Sequence, residues 1–255
     1  MKSTLRQQEI IARIPYNGYV LVKDLSGIFN VTEETIRRDL QKICDSNPSI
    51  QKVHGGVYRV AKDDSVVPQA FRKVLLTQEK TRFADFCTSF IKSEDCIMMD
   101  SSTTVLFVAR ALKEKNINPL IVTNSLQIAQ LFTDDEQAKV ILVGGRLRKT
   151  NESLTGQFAI DMISRYCADY ALISPTYIDL TFGATDNYDG EANVRKAMMN
   201  YSKKRILIAD HTKFGATSKN RIANIEDFDA VITDKETPTE WIKFLETKEL
   251  LVTRC

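Results

Sequence analysis

Apolar residues follow two different rhythms along the chain. Over the first sixty positions they recur every three or four residues, the period of helices with one buried face. Leu5, Ile10, Ile11 and Ile14 predict a first amphipathic helix, which stops near Pro15 and the Asn17-Gly18 turn signal. After the brief run Tyr19-Val20-Leu21, the segment 22–29 (VKDLSGIF) carries Val22, Leu25, Ile28 and Phe29 at helical spacing. Asn30-Val31 is a tight connection, and Thr32 is suited to cap a third helix. Glu33 and Glu34 then fall in its first turn, where the helix dipole favours negative charge. Ile36, Leu40, Ile43 and Cys44 form one stripe of that helix. At about 100° per residue, Glu34, Arg38, Gln41 and Asp45 point away from the stripe, with Arg37 and Lys42 on its flanks. Two strand-type runs, IQKV and VYRV, then flank Gly55-Gly56 and predict a hairpin.

Helix, helix, tight turn, basic helix and hairpin in this order fit a winged helix-turn-helix. In that arrangement the third helix enters a DNA groove. The hairpin is a wing whose candidate contacts are Lys52, His54 and Arg59. An arginine pair on one helix is more commonly a solvated face; the order of elements is what favours DNA. A winged helix used only for protein contacts is the alternative.

The rhythm changes after residues 61–78, a stretch of mixed polarity with one proline that reads as a linker. From about Glu79 a helix is predicted through Phe83, Phe86, Cys87 and Phe90. Beyond it, the runs CIMMD (96–100), PLIVTN (119–124), KVILVGG (139–145), DYALIS (169–174), RILIAD (205–210) and DAVITD (229–234) alternate with helical segments. Nearly continuous apolar strands between helices predict a parallel sheet buried on both faces. The residues that end these strands are polar or glycine: Asp100, Thr123-Asn124, Gly144-Gly145, Ser174, Asp210 and Asp234. Ligands of open α/β sheets sit beyond these carboxyl ends. The loop from Asp100 through Ser101, Ser102, Thr103 and Thr104 opens a helix, a place suited to phosphate. Gly144-Gly145-Arg146 offers close backbone approach plus a cation, and Lys213 a second cation. Together they suggest a small polar ligand.

Composition adds exclusions. The 255 residues are 43% hydrophobic and 27% charged, enough for a normal core. No apolar stretch spans a bilayer and the N-terminus has no signal-peptide core, so a cytoplasmic protein without membrane contact is expected. Five scattered cysteines without a C-x-x-C pair argue against a disulfide framework or zinc site, and two histidines against a His-rich metal site. No metal and no cofactor is expected. The net charge of +2 is uneven: residues 1–60 hold nine basic and six acidic side chains, the rest 26 and 27. The excess lies where a polyanion would be met.

RQQEIIARI, VKDLSGIFNVTEETIRRDLQKI and VHGGVYRV resemble the N-terminal winged helix-turn-helix of the DeoR-type bacterial transcriptional regulators. TIRRDL followed by HGG is the specific part. The resemblance implies DNA contacts from the start of the third helix: Thr32, Thr35, Arg37 and Arg38. Arginine suits guanine O6/N7 or phosphate, and threonine suits phosphate or a thymine methyl. It continues through DSSTT, VTNS, ILVGGRLR, GEANVRKAMM and ADHTKFG, so it covers nearly the whole chain. The C-terminal half of that family resembles ribose-5-phosphate isomerase and CoA-transferase folds, which implies a phosphorylated sugar as effector. Its implied contacts are Asp100, Ser101, Ser102, Thr103, Thr104, Thr123, Asn124, Gly144, Gly145, Arg146, Glu191, Lys196 and Lys213. Three positions depart from the family pattern: Lys52 replaces a common arginine, Ser102 a common glycine, and segment 174–179 lacks a glycine.

The expectation is therefore a DNA-binding domain at 1–60, a linker at 61–78 and an α/β effector-binding domain at 79–255. Its function would be repression of a carbohydrate-metabolism operon by a homodimer or homotetramer on double-stranded DNA, modulated by a phosphorylated sugar, without catalysis. The competing reading is a sugar-phosphate isomerase-like enzyme with a DNA-binding appendage, in which Asp100, Asp179, Glu191 and Lys213 do acid/base chemistry.

Overall fold

The computed structural model describes residues 3–15, 18–53, 55–59 and 69–255. It divides into two compact units, Met1–Leu75 and Leu76–Cys255. His54 and Val60 lie outside the described residues, as do 61–68 of the stretch read as linker.

In the first unit, helices α1 (Ser3–Arg13), α2 (Val22–Phe29) and α3 (Glu33–Ser46) surround a core of Ile10, Ile14, Val22, Leu25, Ile36, Leu40 and Ile43. Strands β1 (Tyr19–Leu21), β2 (Ile50–Val53) and β3 (Gly56–Arg59) form an antiparallel sheet in the order β1-β3-β2. A short helix α4 (Gln69–Val74) belongs to this unit, and its fully buried Phe71 stacks on Tyr19 at 4.4 Å. Gly56 is dictated by this packing, because a Cβ there would lie 2.3 Å from the Val20 carbonyl and 2.8 Å from the Phe71 ring. Two apolar residues assigned to the core from spacing are instead exposed, Leu5 at 55% and Ile28 at 54%. Leu5 stands about 100–140° from the buried Arg6 and Ile10, and Ile28 about 60–120° from the buried Leu25 and Val22.

The position on α1 that does continue the Ile10 row is Arg6, and it is buried. Its Nε donates to Asp39 Oδ2 of α3 at 2.5 Å, while Ser3 Oγ and Gln7 Nε2 donate to Asp39 Oδ1 at 2.8 and 2.9 Å. Burial pushes the Asp39 carboxyl up, but the hydrogen bonds from Arg6, Gln7 and Ser3 outweigh it and hold it below the usual range. A buried charge is thereby placed between exposed Arg38 and buried Leu40. It fixes which face of α3 turns outward.

The second unit opens with α5 (Thr77–Thr88). Strands β4 (Cys96–Met99), β5 (Leu120–Thr123), β6 (Lys139–Leu142), β9 (Ala168–Ile173), β12 (Ser202–Ile208), β14 (Ala230–Thr233) and β15 (Leu251–Arg254) make one parallel sheet in the order β15-β14-β12-β9-β4-β5-β6. All six apolar runs are strands of this sheet. The seventh, β15, lies at an edge with Leu251 exposed, so it lacks the apolar continuity of a buried strand. Helices α6 (Thr103–Glu114), α7 (Leu126–Leu131), α8 (Gln157–Ile163), α9 (Asp189–Asn200) and α10 (Thr239–Thr247) accompany the sheet, which carries two separate hydrophobic clusters. The hairpin β7 (Arg146–Arg148)/β8 (Ser153–Thr155) and the antiparallel layer of β10 (Tyr177–Asp179), β11 (Gly183–Asp186) and β13 (Asn220–Ala223) complete it. Among the described residues no helix is long and apolar enough to cross a membrane.

Strand order reverses between β4, whose successors run one way, and β9, whose successors run the other. The two halves share a frame. Thr123 Oγ1 donates to the Met99 carbonyl at 2.7 Å, and Thr233 Oγ1 to the Ala209 carbonyl at 2.7 Å, across 24 residues in each case. Asp100 Oδ1 accepts the Ser102 N–H at 2.9 Å, and Asp210 Oδ1 the Thr212 N–H at 3.1 Å. The outer strands join through Val143 N–H to Thr123 O and Cys255 N–H to Thr233 O. The same strand-end device thus occurs on both sides of the crevice where ligands of such sheets bind.

Asp39→Asn is expected to weaken the first unit by about 1.5–3 kcal/mol, the range of hydrogen bonds to charged groups. Amides of α1 and α3 would then exchange about 10–100-fold faster, while the unfolding midpoint read from Trp241, which lies in the second unit, stays put. In the wild type the Asp39 contribution is present above the ordinary aspartate range and lost as pH falls through its depressed pKa. Unchanged exchange would show that Asp39 does not hold α3.

Candidate functional site

On the first unit, Thr32 caps α3, its Oγ1 accepting the Thr35 N–H at 3.3 Å. Glu34, Arg38, Gln41 and Asp45 are exposed in one row, and Arg37 and Lys42 are exposed beside it. Lys52 of the hairpin joins the row, its Nζ donating to Gln41 Oε1 at 3.3 Å. Arg59 does not join. Its Nη2 donates to the Ile11 carbonyl at 3.4 Å, which turns the side chain toward α1.

In the second unit, the crevice at the strand-order reversal is organised around two buried carboxylates. Asp100, directly after β4, accepts the N–H of Ser102 on one oxygen. On the other it accepts the Ser174 N–H at 2.9 Å and Arg195 Nε at 2.7 Å. Glu191 on α9 is the meeting point of four segments, α9 itself, the two loops after β4 and β5, and the β7/β8 hairpin. Its Oε2 accepts Ser101 Oγ at 2.9 Å and Asn124 Nδ2 at 3.3 Å, and its Oε1 accepts Asn151 Nδ2 at 3.1 Å and the Ser153 hydroxyl. Arg195 lies one helical turn on, 3.9 Å from Glu191, and its Nη1 donates to Asp186 Oδ2 at 2.5 Å.

Burial alone would neutralise Glu191. The Arg195 charge and the hydrogen bonds from Ser153, Asn151 and Ser101 outweigh that and hold its carboxyl below the usual range. Arg195 is raised: burial opposes its charge, and Asp186, Asp100 and Glu191 overcome it. One buried cation is therefore set against three buried carboxylates, so the floor of the crevice is negative.

Two further cations, Arg148 and Lys213, are only half-buried. Arg148 Nη1 is 3.7 Å from Glu191 Oε1, and its guanidinium lies 4.6 Å above the Tyr188 ring. Lys213 Nζ donates to Ser174 Oγ at 2.6 Å and the Pro175 carbonyl at 2.9 Å. Its turn is anchored by Asp234, whose Oδ2 accepts the His211 N–H and meets His211 Nδ1, both at 2.9 Å.

Of the residues predicted from sequence, Asp100, Ser101, Asn124 and Glu191 are hydrogen-bonded into this cluster, and Lys213 joins it through Ser174. Ser102, Thr103 and Thr104 are buried at the start of α6. Ser102 uses its hydroxyl to cap that helix, accepting the Val105 N–H at 3.1 Å, a task glycine could not perform. Thr123 supports the floor through the Met99 carbonyl. Gly144, Gly145 and Arg146 are exposed, as is Lys196. Gly145 has φ +138°, and a Cβ there would sit 2.6 Å from the Thr155 carbonyl.

Sequence reasoning passed over Arg148, Asn151, Ser153, Asp186 and Arg195, and named Ser174 only as the end of a strand. Two of these carried a signal. Arg195 is four residues from Glu191 and so on its face of α9, and Arg148 alternates with Arg146 along a strand. Nothing local marks Asn151 and Ser153, which are delivered by a hairpin.

Comparison with known proteins agrees with both halves of this description. Residues 6–63 match the DeoR-like helix-turn-helix domain, and residues 76–235 match the DeoR C-terminal sensor domain. The chain belongs to the DeoR family. This DeoR-family chain is 31% identical to the glycerol-3-phosphate regulon repressor of Escherichia coli (strain K12) over 256 residues, 100% of each chain. It is 34% identical to the HTH-type transcriptional repressor CsqR of the same organism, covering 91% of this chain and 88% of that one. An uncharacterized HTH-type transcriptional regulator of Bacillus subtilis (strain 168), YulB, is 32% identical over 97% of this chain and 95% of its own length. Among solved structures, ribose 5-phosphate isomerase A from Neisseria gonorrhoeae aligns with a TM-score of 0.40 at 15% identity, covering 54% of this chain and 53% of that one. The delta subunit of eIF2B from Chaetomium thermophilum aligns with a TM-score of 0.44 at 14% identity, over 64% and 57%.

Arg195→Met in this DeoR-family protein would remove the buried cation that Asp100, Asp186 and Glu191 share. A loss of about 3–5 kcal/mol is expected in the second unit, read from Trp241 fluorescence in urea. The pH response should invert. Glu191 in the wild type has a depressed pKa, so its contribution is present above the ordinary glutamate range and lost as pH falls through the folded value. In the variant the Arg195 charge no longer offsets the burial of Glu191, so stability should increase on acidification from pH 7 to 5. A variant that keeps the wild-type pH slope would contradict this account of the cluster.

Proposed function

We propose that this protein is a transcriptional repressor: its winged helix-turn-helix holds a double-stranded operator, and its crevice binds a phosphorylated sugar or polyol that modulates the hold. The observation that carries the DNA reading is the single exposed face shared by Arg37, Arg38 and Lys52. Arg59, turned toward α1, has no part in it. Named relatives of full length support the repressor role.

The effector reading rests on the order of burial of the charges in the crevice. The buried carboxylates and amides suit hydroxyl groups, while the half-buried Arg148 and Lys213 suit a phosphate. A short phosphorylated polyol satisfies both ends, and glycerol 3-phosphate, in the name of one relative, is the first compound to test. Binding that differs between DNA-competent and DNA-incompetent states shifts their populations by the ratio of the two affinities. An operator with two half-sites would be met by a homodimer or homotetramer, with recognition helices a DNA turn or a multiple of it apart. A cytoplasmic location fits this role.

Two substitutions test the halves separately. Arg38→Ala should weaken binding to a duplex selected by the wild type by about 1–3 kcal/mol, as fluorescence anisotropy would read, if Arg38 contacts a base. Unchanged affinity removes that role. Lys213→Ala should leave duplex affinity within about three-fold and lose most of the thermal shift given by the phosphorylated sugar that best stabilises the wild type. A full shift in the variant would show that Lys213 does not hold the phosphate.

A further inference from the structure

Each outward-facing arginine of α3 is already hydrogen-bonded to a glutamate of the first turn. Arg37 Nη2 donates to Glu33 Oε2 at 2.6 Å, and Arg38 Nε to Glu34 Oε1 at 3.3 Å. Both pairs are open to solvent: side-chain exposure is 49% and 45% for the first, 77% and 61% for the second. Further along the face Gln41 Nε2 donates to Asp45 Oδ1 at 2.8 Å and accepts from Lys52. The face that would meet DNA therefore carries Arg37, Arg38, Lys42 and Lys52 against Glu33, Glu34 and Asp45. It is nearly neutral, although residues 1–60 as a whole are not.

A nearly neutral reading face is costly for a protein that needs only to adhere to DNA. Binding without regard to sequence comes almost wholly from cations on phosphates, and it grows with the number of phosphates neutralised. Carboxylates at the leading end of the helix repel those phosphates and compete for the same guanidinium groups. Exposed i,i+4 pairs are weak, so they do not lock the arginines. They set a threshold. A solvated phosphate contact offers an arginine little more than the glutamate does, whereas the two-pronged contact with guanine O6/N7 discriminates against a wrong base by about 5–150-fold.

We propose that Glu33 and Glu34 are specificity-determining residues, which hold Arg37 and Arg38 back from phosphates and so suppress sequence-independent binding. This rests on the DNA reading above. Glu33 and Glu34 also benefit from the helix dipole. That stabilises the helix start without requiring an arginine four residues on from each.

The test uses the full chain with two 30-base-pair probes: a duplex selected from a random pool by the wild type, and a scrambled duplex of the same composition. Affinities are measured from 50 to 200 mM salt for wild type, Glu33→Gln/Glu34→Gln and Asp45→Asn, with helix content checked by circular dichroism. In the double variant, affinity for the scrambled duplex should rise about ten-fold per protomer, and its salt slope should steepen by up to about 2, at about 0.9 for each added phosphate contact. Affinity for the selected duplex should change by less than about three-fold. Asp45→Asn removes one negative charge without releasing an arginine, and should steepen the slope by less than half as much.

Equal gains on both probes would overturn the proposal, because the glutamates would then not discriminate. Loss on the selected probe alone would overturn it too, since the glutamates would be reading bases. An unchanged double variant at wild-type helix content would do the same. A wild type that selects no duplex would instead overturn the DNA reading itself, a result distinguishable from all of these.

Discussion

The second unit depends on the placement of Arg195 among Asp100, Asp186 and Glu191. Three carboxylates in a dry interior are unsustainable without a cation, and a cation there is unsustainable without them. The cluster joins the end of β4, the end of β11 and the first turns of α9. It also orients Glu191 to gather the Ser101, Asn124, Asn151 and Ser153 side chains from three other loops. A crevice lined from so many segments holds one shape only if its centre is fixed. In the proposed function, that negative centre favours hydroxyl groups and leaves a phosphate to Arg148 and Lys213.

The first unit uses the same device on a smaller scale. Arg6 and Asp39 replace an apolar contact between α1 and α3, and Asp39 sits between a core leucine and an outward arginine. Apolar packing alone tolerates small rolls of a helix about its axis. A hydrogen-bonded charge pair does not. In both units a buried ion pair sets an orientation that a neighbouring polar face then exploits.

Much of this was legible in the chain. The period of Ile36, Leu40 and Ile43 gave the recognition helix and its outward row, since helical geometry converts spacing directly into direction. Six strands followed from apolar runs, because strands buried on both faces cannot alternate. Leu5 and Ile28 were misplaced because a stripe drawn through the nearest apolar residues ignored the angle between them. Arg6, a charge on the buried row, was the better clue. The site was half legible: residues directly after strands were found, since topology puts them at one edge. Asn151 and Ser153 were not, since nothing in a hairpin's own sequence says which distant helix it will meet. Strand β15 lacked apolar continuity for the simple reason that an edge is partly wet.

The central claim is that one chain couples an occupied crevice to an occupied operator. Coupling between two binding equilibria is reciprocal, so it can be measured from either side. Calorimetric titration of the stabilising phosphorylated sugar into free protein, and into protein saturated with its selected duplex, gives one affinity ratio. Titration of the duplex with and without saturating sugar gives the other. The account predicts two equal ratios, each differing from unity by at least about five-fold. Sugar binding that is tight but indifferent to DNA, with both ratios at unity, would contradict it.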